Sequence, residues 1–125
     1  MITAENYQRM TKQTNIAAPR LYAQAHMMVP TELFAVLNIN YLVNGLTSEA
    51  GEVSGIIKKW MRDEGSRGSE AFREKMVIEL GDCMWYISEL CNELDVSMSE
   101  VMEANLAKLK DRAERGTLTG SGDDR

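Results

Sequence analysis

Two pairs of acidic residues have the types and the spacing that could hold a metal ion. The pairs are Glu49 with Glu52 and Glu79 with Asp82, and the acids of each pair are three residues apart. Residues three apart lie on one side of an α-helix, so each pair presents two carboxylates in the same direction. The segment 63–68 between the pairs has the composition of a turn. The pair midpoints, 50.5 and 80.5, are symmetric about its centre at 65.5, so an antiparallel hairpin would bring four carboxylates to one level.

Four carboxylates at one level point to chemistry on phosphates. Several buried or crowded carboxylates repel one another unless a cation lies between them. Mg²⁺ and Mn²⁺ take oxygen ligands, and Mg²⁺ usually lies between protein carboxylates and substrate phosphates. Such an ion can polarise a phosphoryl oxygen, orient the phosphates and help to generate a hydroxide nucleophile. The sequence therefore predicts a Mg²⁺ site, with Mn²⁺ as a possible substitute, whose ligands are Glu49, Glu52, Glu79 and Asp82.

The same acids also have a purely structural interpretation. Glu49 and Glu79 could turn into solvent or pair with Lys58, Lys59 or another helix. For a single acid that interpretation is the better one, but two matched pairs facing each other across a hairpin favour the metal. A glycine lies inside each pair, at 51 and 81, and glycine within a helix costs about 1 kcal/mol relative to alanine. We therefore expect a helix or a ligand to approach closely at these glycines.

Two long stripes of apolar residues predict the helices that position the acids. Their spacings of three and four are those of a helix-bundle seam, and a glutamate occupies one place in each. The stripe in helix 40–62 comprises Leu42, Leu46, Glu49, Val53, Ile56 and Trp60. The stripe in helix 69–94 comprises Phe72, Met76, Glu79, Cys83, Tyr86 and Leu90. A neighbouring, wholly apolar stripe on the second helix comprises Val77, Leu80, Met84, Ile87, Cys91 and Leu94. Such a helix is either central to its bundle or covered by another subunit, so we expect a homo-oligomer.

The N-terminal third has a weaker pattern. Thr3 can cap a helix over 3–14, in which Tyr7 and Met10 could pack inward. Pro19 and Pro30 interrupt the segment 15–30, so we expect a loop there with at most one helical turn, and a structural or exposed role for His26. The segment 31–37 starts a helix that either continues into the next or breaks near Asn38.

The C-terminal third begins with Ser97-Met-Ser-Glu100, which matches a capping box and predicts the start of another helix. Asn105, Lys108 and Arg112 share a polar face of this helix, and they could neutralise or hydrogen-bond phosphates. Their structural alternative is an ordinary solvated face. Gly116 is expected to end the helix, and the tail 117–125 is rich in glycine, serine and aspartate and is expected to be flexible.

The composition indicates one all-α domain over residues 1–116, with a four-helix-bundle-like core. The chain has 125 residues, two prolines, nine methionines and a net charge of −5, which argues against binding nucleic-acid polymers or acidic membranes. Cys83 and Cys91 are about 12 Å apart along one predicted helix, too far for a disulfide. Together with His26 they do not make a zinc site. With no signal-peptide core and no run of apolar residues long enough to span a membrane, we expect a cytoplasmic protein.

At this point several motifs resemble those of a known family, the MazG-type all-α nucleoside triphosphate pyrophosphohydrolases. The similarity covers about 40–115, with a weaker echo in Tyr7-Gln8, and the combination is more specific than either acid pair alone. The motifs are Glu49-Ala-Gly-Glu52-Val, Ile57-Lys-Lys59, Glu79-Leu-Gly-Asp82-Cys-Met-Trp-Tyr86 and Asn105-Leu-Ala-Lys108-Leu. One departure is Ser48, where many members have another glutamate, and it leaves the number of metal ions open.

The resemblance implies Mg²⁺-dependent hydrolysis of a (d)NTP to the (d)NMP and pyrophosphate by a dimer or tetramer with a four-helix core. Catalysis and metal binding would fall to the four acids already named. Nucleotide or phosphate contacts would come from Tyr86, Asn105 and Lys108, with Lys59 and Arg112 as further phosphate contacts. Tyr86 lies one turn beyond Asp82, so it faces the site, whereas Trp85 is expected in the core or at a subunit interface.

In the mechanism we expect, water attacks the α-phosphorus and one acid acts as general base. Which of the four acids does so is open. Two alternatives remain: a non-catalytic helical module that binds a metal or a partner, and a related all-α hydrolase acting on dUTP or phosphoribosyl-ATP. The preferred base depends on pocket shape, which one sequence does not give.

Overall fold

The computed structural model describes residues 1–25, 31–63, 65 and 69–119, without the side chains of 24, 25 and 31–34. Within these ranges the chain forms five helices and no strand, which confirms the predicted all-α class. The helices are α1 (Ala4–Thr14), α2 (Ala17–Ala25), α3 (Thr31–Asp63), α4 (Glu70–Glu93) and α5 (Met98–Glu114). His26 and the end of the predicted flexible tail lie outside the described residues.

Helices α3 and α4 form the antiparallel hairpin that the paired acids predicted. Three pairs of facing residues define the register between α3 and α4. They are Asn38 with Glu93, Gly45 with Tyr86, and Trp60 with Phe72, whose rings stack. The midpoints of these pairs fall at 65.5, 65.5 and 66, so the hairpin is centred where the sequence placed it. Helix α3 ends at Asp63 and Gly65 has a φ of +59°, which is consistent with a turn in this segment.

The predictions for the segment before the hairpin were partly wrong. A loop was expected over 15–30, but Ala17–Ala25 forms α2. Pro19 is tolerated because it lies in the first turn, where its missing N–H has no helical partner. The Asn15 side chain supports this start by accepting a hydrogen bond of 3.1 Å from the N–H of Ala18. Helix α3 then runs without a break at Asn38, so the two segments predicted from 31 onward are one helix of 33 residues.

Helix α1 packs along α4 through polar contacts. Thr3 caps it as predicted, and the buried hydroxyls of Thr11 and Ser88 are hydrogen-bonded at 2.7 Å. The Gln8 side chain bridges to the turn before α5, where it donates to the carbonyl of Val96 and accepts from the N–H of Met98. These contacts hold α1 against α4 and against the start of α5. Met10, expected to pack inward, is instead 52% exposed.

Helix α5 starts and ends where the sequence predicted. Ser97 and Glu100 form a complete capping box, with each side chain accepting a hydrogen bond from the other residue's backbone N–H. Gly116 follows the helix with a φ of +68°, a conformation that glycine adopts readily. The contacts of α5 are chiefly with α1, so in the single chain its outer face, from Val101 to Lys110, is exposed.

The second apolar stripe of α4 is not covered within one chain. Its exposed members are Val77, Leu80, Met84, Ile87 and Leu94, and only Cys91 is buried. In the described part of the chain, the buried apolar side chains are those of Leu42, Cys91 and Met98. None of the described helices combines the length and the apolar character needed to cross a membrane.

Candidate metal centre

The hairpin brings three of the four predicted acids together. One carboxylate oxygen from each of Glu49, Glu79 and Asp82 lies within 4.8 Å of the others. Glu49 comes from α3, and the other two come from one turn of α4. In an octahedral shell with metal–oxygen distances of about 2.1 Å, opposite ligands are about 4.2 Å apart. Small side-chain adjustments would therefore fit these oxygens to one small divalent cation.

The electrostatics of the cluster favour such a cation. Burial raises the pKa of Glu49, and the charges of Asp82, Glu79 and Glu52 raise it further. Glu52 is thus close enough to act on Glu49, although it is exposed and lies outside the group of three oxygens. These carboxylates have no cationic partner in an ion pair within the described chain. Their repulsion is the interaction that a bound cation would remove.

A cavity of about 310 Å³ adjoins the cluster on the side of the hairpin turn. Its lining residues are Glu52, Ile56, Lys59, Trp60, Phe72, Lys75 and Glu79. The rings of Trp60 and Phe72 stack 4.8 Å apart within this lining. Lys59 of α3 and Lys75 of α4 bring positive charge to the cavity from both helices. Lys75 was missed by the sequence analysis, although its position four residues before Glu79 places it on the same face of α4.

Tyr86 lies on the other side of the cluster, one turn along α4. Burial raises the pKa of its hydroxyl, followed by a hydrogen bond with Tyr41 and the nearby charges of Glu49 and Asp82. The ring lies directly over Gly45 of α3, where an added Cβ would be 2.1 Å from Cε1 of Tyr86. Gly45 was not among the expected close approaches, although it is a glycine inside a predicted helix and thus carries the same signal as Gly51.

The close approach expected at the two other glycines is absent from the single chain. In the described chain, a Cβ added at Gly51 or Gly81 would meet no atom of another helix within 4 Å, so no helix of the same chain makes this approach. Approach by a ligand or by a second copy stays a prediction. What the structure places near Gly81 is the phenol of Tyr7, whose hydroxyl donates to the Gly81 carbonyl at 3.4 Å. Burial and the charge of Asp82 raise the pKa of Tyr7. Helix α1 thus brings a phenol to the edge of the acid cluster.

Trp85 is half-buried and contacts α1, and its expected place in the core or at a subunit interface stays a prediction. Its Nε1 donates to the hydroxyl of Thr14 on α1 at 2.8 Å, and its ring meets Tyr86 edge-on with centroids 5.0 Å apart. Trp85 therefore contacts the ring of Tyr86 and links it to α1.

The predicted cationic face of α5 is not assembled with the acids in one chain. Asn105 and Lys108 are exposed, and no hydrogen bond or ion pair joins them to the acids in the described chain. Arg112 is buried, with 5% of its surface exposed, near the C-terminal end of the same helix. The single chain therefore brings together Glu49, Glu79 and Asp82, with Glu52, Lys59 and Tyr86 beside them, and leaves the α5 residues apart.

The amino-acid sequence matches a known protein family and a phage protein. A family model described as the MazG nucleotide pyrophosphohydrolase domain matches residues 38–117. The chain is also 42% identical over 91 residues to the Gene 37 protein of Mycobacterium phage L5, an alignment that covers 73% of this chain and 80% of the phage protein. No solved structure matches. Because the family match holds both acid pairs and most of the helical core, the chain belongs to the MazG nucleotide pyrophosphohydrolase domain family.

Proposed function

We propose that this protein is a Mg²⁺-dependent pyrophosphohydrolase that converts a (d)NTP and water to the (d)NMP and pyrophosphate. The observation that carries the proposal is the three-carboxylate cluster beside a cavity with a lysine on each helix. Acids and lysines side by side suit a metal-bound polyphosphate, because the cation and the lysines together balance its charge. Membership of the family supports the same reaction class.

The chain offers a consistent ligand set for the ion. Glu49, Glu79 and Asp82 would hold Mg²⁺ or Mn²⁺, and Glu52 would join them after a change of rotamer. When bound, such an ion polarises a phosphoryl oxygen and favours ionisation of a water molecule. The fit rests on the oxygen separations and on the repulsion that raises the pKa of Glu49.

The chain's own residues would divide the remaining work along the groove. Lys59 and Lys75 would hold the phosphates that leave as pyrophosphate, and Tyr86 would lie toward the nucleoside. The water oxygen bonds to the α-phosphorus, and its proton passes to one of the four carboxylates. The bond from the α-phosphorus to the bridging oxygen breaks, and pyrophosphate leaves with the electron pair. Cleavage at this position is what separates pyrophosphate release from phosphate release.

The proposal includes a homo-oligomer, dimer or tetramer. The exposed stripe of α4 supplies an apolar centre for an interface between copies. A second copy could also bring the exposed Asn105 and Lys108 of its α5 to the acids of its neighbour.

The decisive test is a panel of common and damaged (d)NTPs with separate readouts for pyrophosphate and orthophosphate. We expect pyrophosphate from at least one nucleotide, loss of release in EDTA, and recovery with Mg²⁺. Glu79→Gln and Asp82→Asn should each abolish turnover without unfolding the chain. The matched control is Glu74→Gln, because Glu74 is an exposed acid elsewhere on α4. Orthophosphate in place of pyrophosphate, or no release at high enzyme concentration, would contradict the proposal.

The exposed apolar face of α4 also favours a second candidate, a non-catalytic module that binds a partner protein. Calorimetry separates the two, since the module would bind metal without binding any nucleotide. The same panel separates a general pyrophosphohydrolase from one acting on dUTP or phosphoribosyl-ATP. We assign the reaction to the cytoplasm, where its substrates are made.

A further inference from the structure

A second polar site lies in the α3–α4 groove beneath α2. Two adjoining cavities, of about 310 and 330 Å³, share Ala18, Pro19 and Glu93 in their linings. We call them together the α2 cleft. Tyr22 and Pro19 of α2 supply apolar walls, whereas Asn38 of α3 and Glu93 of α4 supply polar groups. Nothing in the reaction proposed above uses this cleft.

One buried acceptor in the cleft lacks a donor. Asn38 is 1% exposed, and its Nδ2 donates to Oε2 of Glu93 at 2.6 Å. Its Oδ1 is buried and accepts no hydrogen bond within the described part of the chain. Nearly all buried polar atoms in proteins are hydrogen-bonded, because an unsatisfied one forfeits its interactions with water. A buried amide that lines a cavity with an unused acceptor indicates a ligand that donates.

Hydrogen bonds hold Glu89 in the lining of the cleft. Glu89 is 3% exposed, and its carboxylate accepts from the amide of Asn15 and, at 2.9 Å, from Asn92. Lys12 also lines the cleft, but it is exposed and forms no ion pair with either glutamate in the described residues. The cleft thus presents the Glu93 carboxylate next to the amide oxygen of Asn38, two acceptors side by side.

The position of the cleft relates it to the acid cluster. Asn38 precedes Glu49 by eleven residues on α3, and Glu93 follows Asp82 by eleven on α4. Eleven residues are close to three turns, so both sites lie in the same groove, about 16 Å apart along it. The cleft is on the Tyr86 side of the acids, opposite the cavity with the two lysines. If Lys59 and Lys75 hold the leaving phosphates, as proposed above, the base of an extended nucleotide would lie in this direction.

We propose that the α2 cleft receives the nucleobase of the substrate and favours bases with an exocyclic amine. This inference rests on the proposed function. An amine offers two N–H donors, one for the Glu93 carboxylate and one for Oδ1 of Asn38. A carbonyl at the same place would set a third acceptor against these two, and such a mismatch is costly in a buried site. Bases that carry a carbonyl in place of the amine are therefore discriminated against.

The test compares nucleotide pairs in which a carbonyl replaces the amine, dATP with dITP and dCTP with dUTP. We expect kcat/KM to favour the amine in at least one pair. Glu93→Gln, which replaces an acceptor oxygen by a donor, should reduce that preference at least tenfold while the carbonyl partner changes less than twofold. Glu74→Gln is the control and should leave both ratios unchanged. An unchanged ratio in folded Glu93→Gln protein, or no preference in the wild type, overturns the inference.

Binding of the monophosphates provides a readout that does not depend on turnover. Calorimetry should show dAMP bound more tightly than dIMP, or dCMP more tightly than dUMP, with the difference lost in Glu93→Gln. Absence of pyrophosphate release together with this pattern would refute the proposed reaction and keep the cleft. Pyrophosphate release with no base discrimination in either assay would support the proposed reaction and refute the cleft. If Glu93→Gln unfolds, Glu93→Ala gives the same comparison, and equal binding of both pair members by the wild type rejects the cleft without any variant.

Discussion

The charge of Glu49 opposes folding when no cation is bound. Its pKa is raised by burial and by three neighbouring carboxylates, so the folded chain holds this proton more tightly than the unfolded chain does. The stability that the protonated group contributes is present below its ordinary pKa and is lost as pH rises through the raised value. Near neutral pH the apo protein therefore folds against this repulsion.

Glu49→Gln should consequently raise the melting temperature of the protein in EDTA at neutral pH. Mg²⁺ should raise the melting temperature of the wild type, because a ligand of the folded state stabilises it, and should do so less for the variant. Scanning calorimetry with and without the ion measures both effects. Glu74→Gln serves as the control for loss of one negative charge. A variant that melts lower in EDTA, or a wild type insensitive to Mg²⁺, would contradict the electrostatic account.

Gly45 fixes the position of Tyr86. A Cβ at 45 would overlap three ring atoms of Tyr86, so Gly45→Ala should cost about 1–3 kcal/mol, as overpacking does. Gly55→Ala on the same helix meets no atom within 4 Å and should stabilise by about 0.5–1 kcal/mol. Urea denaturation measures the opposite signs. The double change Gly45→Ala with Tyr86→Leu should recover part of the loss, and equal effects at both glycines would show that the ring does not need this space.

At the scale of elements, periodicity and caps were enough to predict most of the fold. The seams of α3 and α4 and the capping box at Ser97 follow local rules, and the hairpin register followed from symmetry about its turn. The helix α2 could not be predicted in this way, because Pro19 signals a break unless one knows that it falls in a first turn. The sequence alone does not show which side chains lie opposite Lys75 and Gly45, because that depends on tertiary packing.

A buried hydrogen bond connects α1 to α4. Thr11 is 3% exposed, and its hydroxyl also donates to the Gln8 carbonyl, so its bond to Ser88 leaves both groups satisfied. Thr11→Val should cost about 1–3 kcal/mol, because the hydroxyl of Ser88 then stays buried without this partner. Adding Ser88→Ala should recover most of that cost, since replacing both partners by apolar groups is nearly neutral. Urea denaturation of the wild type, the two single variants and the double variant measures the coupling between Thr11 and Ser88. Additive losses of stability would argue against it.

At the scale of the molecule, the single chain leaves an apolar face exposed and Lys108 of α5 away from its acids. Both features are explained if two copies pack through α4 and the α5 of each copy contributes residues to the site of the other copy. Leu80→Glu and Met84→Glu should therefore lower the mass measured by light scattering, because each places a charge in the interface. Gln13→Glu, an exposed position on α1, adds the same charge and should leave the mass unchanged. A monomeric and fully active wild type would refute the pairing.

Mixed oligomers test which chain supplies the α5 residues. Glu79→Gln lacks an acid and Lys108→Ala lacks a cation, so each should have little activity alone. If Lys108 acts on the neighbour's acids, a mixed dimer contains one site with both groups intact. Equal mixing with free exchange should then restore about a quarter of wild-type activity, because half of the dimers are mixed and each has one good site. If Lys108 acts within its own chain, both sites of a mixed dimer stay damaged. Mass spectrometry confirms that mixed dimers form, and no recovery in their presence would assign the residue to its own chain.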